Sequence, residues 1–159
     1  MQKSRVIVIA VAVLIAVGAA AAYTLNPFGN LFGSGGGGAG IDPADPDKVA
    51  LGAQVYAANC ASCHGANLEG QPNWRQRKAD GRLPAPPHDV NGHTWHHSGE
   101  QLFALTKQGP AALAGGGYQS DMPGYEGTLS DAEIWAVLSY IKSRWPREVQ
   151  ARHDQMSQQ

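Results

Sequence analysis

The chain has 159 residues, of which 43% are hydrophobic and 16% charged, and its formal net charge is −1 at pH 7. This length suits one domain, since domains commonly contain roughly 100–200 residues, and the near-neutral charge lacks the basic footprint typical of nucleic-acid binding. The two cysteines lie close together, at Cys60 and Cys63, which excludes a disulfide framework.

The first segment in chain order, residues 6–25, is apolar and carries no charged side chain. About 20 such residues are the length of an α-helix that crosses a bilayer. Lys3 and Arg5 precede the segment and no basic residue closely follows it, so the positive-inside rule places the rest of the chain outside the cytoplasm. We predict a membrane anchor within residues 1–25. A cleaved signal peptide is the alternative, because an Ala-x-Ala site occurs near Ala20.

The composition changes sharply after this segment. Residues 26–44 are rich in Gly and Pro and show no helical periodicity, which is typical of a flexible linker. We expect one exported domain over residues 45–146 and a polar C-terminal tail over residues 147–159. No segment alternates apolar and polar residues for long enough to form a strand, so the expected fold class is all-α.

Two helices of the domain are predicted by their end signals. Asp45 is suited to cap a helix in which Pro46 occupies the first position, and this helix should continue to about Asn59. Ser98 is suited to cap a second helix, which should end before Gly109.

The third helix has the clearest beginning. Ser130 and Glu133 have the spacing of a capping box, and an apolar face follows until Pro146. A connection of over thirty residues, 65–97, separates the first helix from the second. Because a loop of that length in a compact domain is usually functional, and three short helices bury little apolar surface, we expect a large ligand to complete the core.

Residues 60–64 read Cys-Ala-Ser-Cys-His, which is the attachment sequence of a c-type haem. Two thiols one turn apart reach the two vinyl groups of one porphyrin, and His64 follows as the proximal axial ligand. A thioredoxin-like redox pair would need an alternating β/α pattern, and a zinc site would need further ligands at matching spacing. The motif therefore predicts one covalent haem c on Cys60 and Cys63.

Around this motif the sequence resembles the class I cytochromes c over most of residues 45–146. The resemblance implies the class I fold, with three to five short helices around one haem. It also implies that Gly52 and Tyr56, four residues apart on the first helix, pack across the last helix, where Val137 and Tyr140 match the partner positions.

The sixth ligand is expected to be a methionine. Met1 precedes the predicted anchor and Met156 lies in the predicted tail, which leaves Met122, followed by Pro123. The resemblance agrees, because class I cytochromes carry their distal Met in a Met-Pro loop before the C-terminal helix. Two strong axial ligands leave the iron without an open position. An ordinary core methionine is the alternative for Met122.

Four histidines, His88, His93, His96 and His97, fall within one short stretch. They are open to three interpretations: a second site for copper or zinc, a distal ligand that replaces Met122, or ordinary lining of the haem pocket. We favour the last, because their spacing fits no single helical face.

Two further features lie in the long connection. The resemblance implies that a proline there accepts a hydrogen bond from the proximal histidine, and both Pro86 and Pro87 are candidates. A local cluster of basic residues is a candidate surface for a charged redox partner or a simple solvated loop. Its members are Arg75, Arg77, Lys78 and Arg82.

Together these features predict a membrane-anchored electron-transfer protein that faces the bacterial periplasm. It would carry single electrons between redox protein partners, such as respiratory complexes or dehydrogenases, without being an enzyme itself. The alternatives are a haem-based sensor or gas-binding protein, and a metal-handling module that uses residues 88–97.

Overall fold

The structure is a computed structural model that describes residues 40–158. These residues form six α-helices and one short 3-10 helix, and no strand occurs among them. In chain order they are α1 (Pro46–Asn59), α2 (Ala61–His64), the 3-10 helix (Thr94–His96), α3 (Gly99–Gln108), α4 (Pro110–Ala114), α5 (Asp131–Ser143) and α6 (Arg147–Met156).

The all-α expectation is thus confirmed for the described residues. They contain six α-helices, one more than the three to five that the resemblance implies. The predicted anchor and most of the predicted linker fall in residues 1–39, outside the described part of the chain. Among the described helices, none combines the length and the apolar character that crossing a bilayer demands.

The predicted helix starts are confirmed by their caps. The Asp45 carboxylate accepts hydrogen bonds from the backbone N–H groups of Asp47 and Lys48, each at 3.0 Å, and α1 follows. The Ser98 hydroxyl accepts from the N–H of Gln101 at 3.3 Å and begins α3. These bonds satisfy N–H groups that have no partner within the helix.

Helix α5 also begins as predicted, with a complete capping box. The Glu133 N–H donates to Ser130 Oγ at 3.3 Å, and the Ser130 N–H donates to Glu133 Oε2 at 2.8 Å. Helix α5 is the centre of the core, since most of its residues from Ile134 to Lys142 are buried.

Helices α1 and α5 cross at very close range at Gly52. A Cβ added to Gly52 would lie 2.0 Å from the Ala136 carbonyl oxygen and 2.8 Å from Tyr140 Cβ. The ring of Tyr56 packs beside Tyr140, with 5.4 Å between the ring centroids. The expected packing of Gly52 and Tyr56 on the last core helix is present, with Ala136 rather than Val137 against the glycine.

The predicted polar tail contains a helix that the sequence reasoning missed. Helix α6 buries His153, which is 1% exposed and meets the edge of Trp145 with 5.3 Å between ring centroids. Arg152 lies over the ring of Trp95 at 5.6 Å. Because α6 buries a histidine and few apolar residues, its sequence carries no apolar periodicity that would reveal it.

The domain includes residues that precede the expected start at residue 45. The Asp42 N–H donates to Ser139 Oγ on α5 at 2.9 Å, and Ile41 packs against the hydrophobic core. The end of the predicted linker, 26–44, is therefore attached to the domain at these two residues.

Candidate functional site

A cavity of about 580 Å³ lies beside α1, α2, α3 and α5. Ligand pockets commonly have volumes of about 300–1,000 Å³. The cavity is lined by Cys60, Cys63, His64 and Met122, so the structure brings all four predicted site residues to one place. Apolar side chains form much of the remaining wall, among them Leu83, Leu102, Leu105, Val137, Leu138 and Ile141.

The two cysteines are held by the junction of α1 and α2. Cys60 ends α1, and its carbonyl accepts hydrogen bonds from the N–H groups of Cys63 at 3.1 Å and His64 at 2.9 Å. This turn places both thiols on the cavity wall, where they form no disulfide with each other. Burial, with a smaller effect of Cys63, raises the pKa of the Cys60 thiol to about 11. Because neither sulfur is in a disulfide, both are available for separate covalent bonds.

The His64 ring is held by a hydrogen bond at one of its two nitrogens. The side chain is 6% exposed, and its Nδ1 lies 2.8 Å from the carbonyl oxygen of Pro86. A carbonyl oxygen only accepts, so Nδ1 carries the hydrogen and Nε2 keeps its lone pair for a metal. Burial lowers the pKa of His64, despite the opposing hydrogen bond to Pro86, and this favours the neutral, metal-binding form. The acceptor is Pro86 rather than Pro87.

A second histidine supports the first. The ring of His88 stacks on His64 with 3.9 Å between the centroids and 24° between the planes. His88 Nδ1 lies 2.9 Å from Thr94 Oγ1, and the Trp145 indole N–H donates to the His88 carbonyl at 2.7 Å. Burial lowers the pKa of His88 well below its ordinary value. His88 therefore occupies a supporting position beside His64, and the sequence contains no local signal of this stacking.

The other three histidines separate into two groups. His93 and His97 line the cavity, and the His93 ring stacks on Trp74 with 5.4 Å between centroids. His96 instead stacks on Trp95 at 3.7 Å. Within residues 40–158 no group of three or more His, Cys, Asp or Glu side chains is arranged to hold a metal ion. The geometry thus agrees with pocket lining for His93 and His97 and gives no support to a second metal site.

Met122 lies in a loop that is fixed to the end of α3. The Tyr125 N–H donates to the Thr106 carbonyl at 3.1 Å. Gly124 lies against Gln108 so closely that a Cβ would be 2.6 Å from the Gln108 carbonyl oxygen. These contacts hold the residues after Met122, which is itself half-buried on the cavity wall.

Two of the four residues in the predicted basic cluster, Lys78 and Arg82, are paired with Asp121. Its carboxylate accepts from Lys78 Nζ at 2.5 Å and from Arg82 Nη1 at 2.9 Å. The hydrogen bond from Lys78 lowers the pKa of the Asp121 carboxyl, and Arg82 adds to the effect. Arg75 and Arg77 are left as the cluster's exposed cations without a carboxylate within ion-pair distance in the described residues. Sequence reasoning assigned no role to Asp121.

The donor set of the cavity fits a covalently attached haem. Two unlinked thiols, a neutral imidazole whose Nδ1 is fixed by Pro86, and a thioether all line one largely apolar space. An all-helical domain with this site has the properties of a c-type cytochrome.

Comparison with known proteins agrees. The family model described as Cytochrome c matches residues 49–145, and the chain belongs to that family. The CxxCH sequence and this membership establish haem c as the cofactor, attached covalently.

Three relatives illustrate the range of proteins that carry a similar domain. The chain is 37% identical to cytochrome c6 of Tetradesmus obliquus over 94 residues, which are 58% of this chain and 86% of the relative. It is 33% identical to a thiosulfate dehydrogenase of Stutzerimonas stutzeri over 96 residues, 60% of this chain but only 27% of that protein. It is 31% identical to the cbb3-type cytochrome c oxidase subunit CcoP of Rhodobacter capsulatus over 104 residues, 64% of this chain and 31% of that subunit. No solved structure gives a significant match.

Proposed function

We propose that this protein is a one-electron carrier whose haem is bound by Cys60 and Cys63 and ligated by His64 and Met122. The observation that carries the proposal is that all four side chains line one cavity. When bound there, the haem iron would accept and release a single electron.

The protein's residues have distinct roles in this proposal. Pro86 fixes His64 by accepting its Nδ1–H, and His88 stacks on one face of the ring. The apolar wall excludes water, which favours a thioether ligand such as that of Met122. The site is thus preorganised for electron transfer.

We further propose that the protein transfers electrons without transforming a substrate. With His64 and Met122 as axial ligands, the iron would have no open position, which disfavours the sensor and gas-binding alternatives. The relation to a thiosulfate dehydrogenase covers 27% of that enzyme, so it relates the two proteins through their cytochrome domains. The likeness to an oxidase subunit makes a respiratory complex a reasonable class of redox partner.

The cellular location is proposed from the sequence pattern. Residues 6–25 would anchor the protein in the bacterial inner membrane, and a linker over residues 26–44 would connect this anchor to the haem domain in the periplasm. The tether would keep the carrier near membrane-bound partners.

Redox titration of the haem-loaded chain tests the carrier function. We expect one reversible one-electron transition, and a covalent haem that acid extraction does not remove. The Cys60→Ser/Cys63→Ser variant should lose the covalent haem, whereas Ser62→Ala, between them, should retain it. Oxidation of a small substrate by the isolated protein, with turnover, would contradict the proposal.

Membrane fractionation and N-terminal sequencing test the anchor. The proposal expects the full chain in the membrane fraction with its first residues intact. A soluble protein whose N-terminus begins after Ala22 would instead establish a cleaved signal peptide.

A further inference from the structure

We propose that Asp121 is a positioning residue, which keeps Met122 at the haem cavity by tying the loop before it to Lys78 and Arg82. The inference rests on the proposed ligation by Met122 and extends it to the question of what holds that ligand in place. Nothing in the CxxCH or Met-Pro patterns assigns a role to Asp121.

The two flanks of Met122 are held in different ways. After it, the Tyr125 N–H donates to the Thr106 carbonyl, and Gly124 is pressed against the last turn of α3. Before it, residues 115–117 are three consecutive glycines with positive φ, and they are exposed. Glycine loses more conformational freedom on ordering than any other residue, so this flank opens easily unless something restrains it.

Asp121 supplies that restraint. Among the described residues, its ion pairs are the only hydrogen-bonded ties from residues 115–121 to a distant part of the chain. Lys78 donates to Oδ2 at 2.5 Å and Arg82 donates to Oδ1 at 2.9 Å, so each carboxylate oxygen has its own donor. The glycine flank also meets Arg77, whose guanidinium lies over the ring of Tyr118, 5.9 Å from its centroid.

The two donors are preorganised by a tight turn. The Lys78 N–H donates to the Arg82 carbonyl at 2.8 Å, and the Gly81 N–H donates back to the Lys78 carbonyl at 2.9 Å. The Asp80 carboxylate accepts from the Arg82 N–H at 2.9 Å. Because this turn fixes the backbone at Lys78 and Arg82, both side chains start from the same place and can reach one carboxylate.

The chemical consequence concerns access to the iron. An external ligand binds only when Met122 has moved away, so its apparent affinity is proportional to the fraction of molecules in which the loop is open. The three charges are partly exposed, with side-chain exposures of 41% for Lys78, 40% for Arg82 and 46% for Asp121. Breaking two such pairs should raise the open fraction by about two- to tenfold.

Imidazole binding to the ferric, haem-loaded full chain measures this fraction. We expect Asp121→Asn to raise the apparent imidazole affinity about two- to tenfold, and Asp121→Glu to restore much of the wild-type value. Asp131→Asn is the matched control, since it removes an exposed ion pair with Lys107, 2.8 Å long, that does not involve residues 115–121. This control should leave the affinity unchanged.

Two further measurements separate positioning from a general loss of stability. The Lys78→Gln/Arg82→Gln variant removes the same ion pairs by changing the two cations. Alone it should raise the apparent imidazole affinity, and combined with Asp121→Asn it should add little to the effect of that substitution. Raising the salt concentration should increase imidazole affinity in wild type and not in Asp121→Asn, because salt screens exposed charges. An unchanged far-ultraviolet circular dichroism spectrum would show that the variants remain folded.

The outcomes distinguish failure of the Asp121 positioning role from failure of ligation by Met122. If wild type shows the ferric methionine–iron charge-transfer band, and Asp121→Asn binds imidazole with wild-type affinity, the positioning role is refuted while the ligation stands. If wild type lacks the band, the proposed ligation by Met122 fails and the positioning role fails with it.

Discussion

The crossing of α1 and α5 at Gly52 determines whether a Gly-to-Ala substitution stabilises or destabilises the protein. Gly52 lies inside α1, where replacement by Ala ordinarily stabilises a helix by about 1 kcal/mol. Here the added Cβ would lie 2.0 Å from the Ala136 carbonyl oxygen and 2.8 Å from Tyr140 Cβ. A backbone carbonyl cannot rotate away, so α1 and α5 have to separate.

The expected size of the effect follows from that separation. Carbon–oxygen contacts between helices are ordinarily about 3.3–3.6 Å long, so relieving the 2.0 Å contact would move the helices apart by roughly 1.3–1.6 Å. Overpacking of a core commonly costs about 1–3 kcal/mol, and a separation here also loosens the contact between Tyr56 and Tyr140. We therefore expect Gly52→Ala to lower the free energy of unfolding by about 2 kcal/mol or more.

Equilibrium urea unfolding of the haem-loaded protein, followed by far-ultraviolet circular dichroism, measures this change. Ala57→Gly is the control, because Ala57 is exposed on the same helix and its replacement should cost only the helix propensity of about 1 kcal/mol. A Gly52→Ala protein that is more stable than wild type would refute the close crossing of α1 and α5.

Three other predictions concern the supports of the fold. Ser130→Ala removes the capping hydroxyl of α5 and should lower the free energy of unfolding by about 1 kcal/mol in urea. An unchanged midpoint would show that the cap does not stabilise the helix. Trp145→Phe leaves the His88 carbonyl without its indole donor and should cost about 1–3 kcal/mol by the same assay. Burial, and to a lesser degree the charge of Lys142, lowers the pKa of His153, while Asp154 and the His97 carbonyl oppose this with smaller effects. His153 therefore binds more protons in the unfolded protein than in the folded one. Its contribution to stability should therefore fall as the pH drops below about 6.5, the unfolded value, and His153→Leu should show a weaker decline than wild type over that range.

Much of the domain follows from local signals in the sequence. Asp45, Ser98 and Ser130 each cap a helix through their own side chain, so a short pattern sufficed to locate α1, α3 and α5. The CxxCH sequence indicated its chemistry for the same reason, since adjacent residues in one turn supply both thiols and the imidazole.

Features that depend on distant contacts could not be predicted in this way. Whether Pro86 or Pro87 accepts from His64 depends on the path of a long loop, and local sequence does not specify that path. The pairing of Asp121 with Lys78 joins residues far apart in the chain. Helix α6 escaped prediction because isolated tertiary contacts of His153, Val149 and Asp154, rather than an apolar stripe, attach it to the domain.

The central claim, that Met122 and His64 both ligate the haem iron, is tested most directly by visible absorption spectra. The haem-loaded protein would be measured in the oxidised state, and in the reduced state with and without carbon monoxide, for wild type and Met122→Ala. Ligation by both residues predicts a methionine–iron charge-transfer band in ferric wild type that is absent from Met122→Ala, and a carbon monoxide shift in Met122→Ala alone. A carbon monoxide shift in wild type, or a band that persists without Met122, would contradict it.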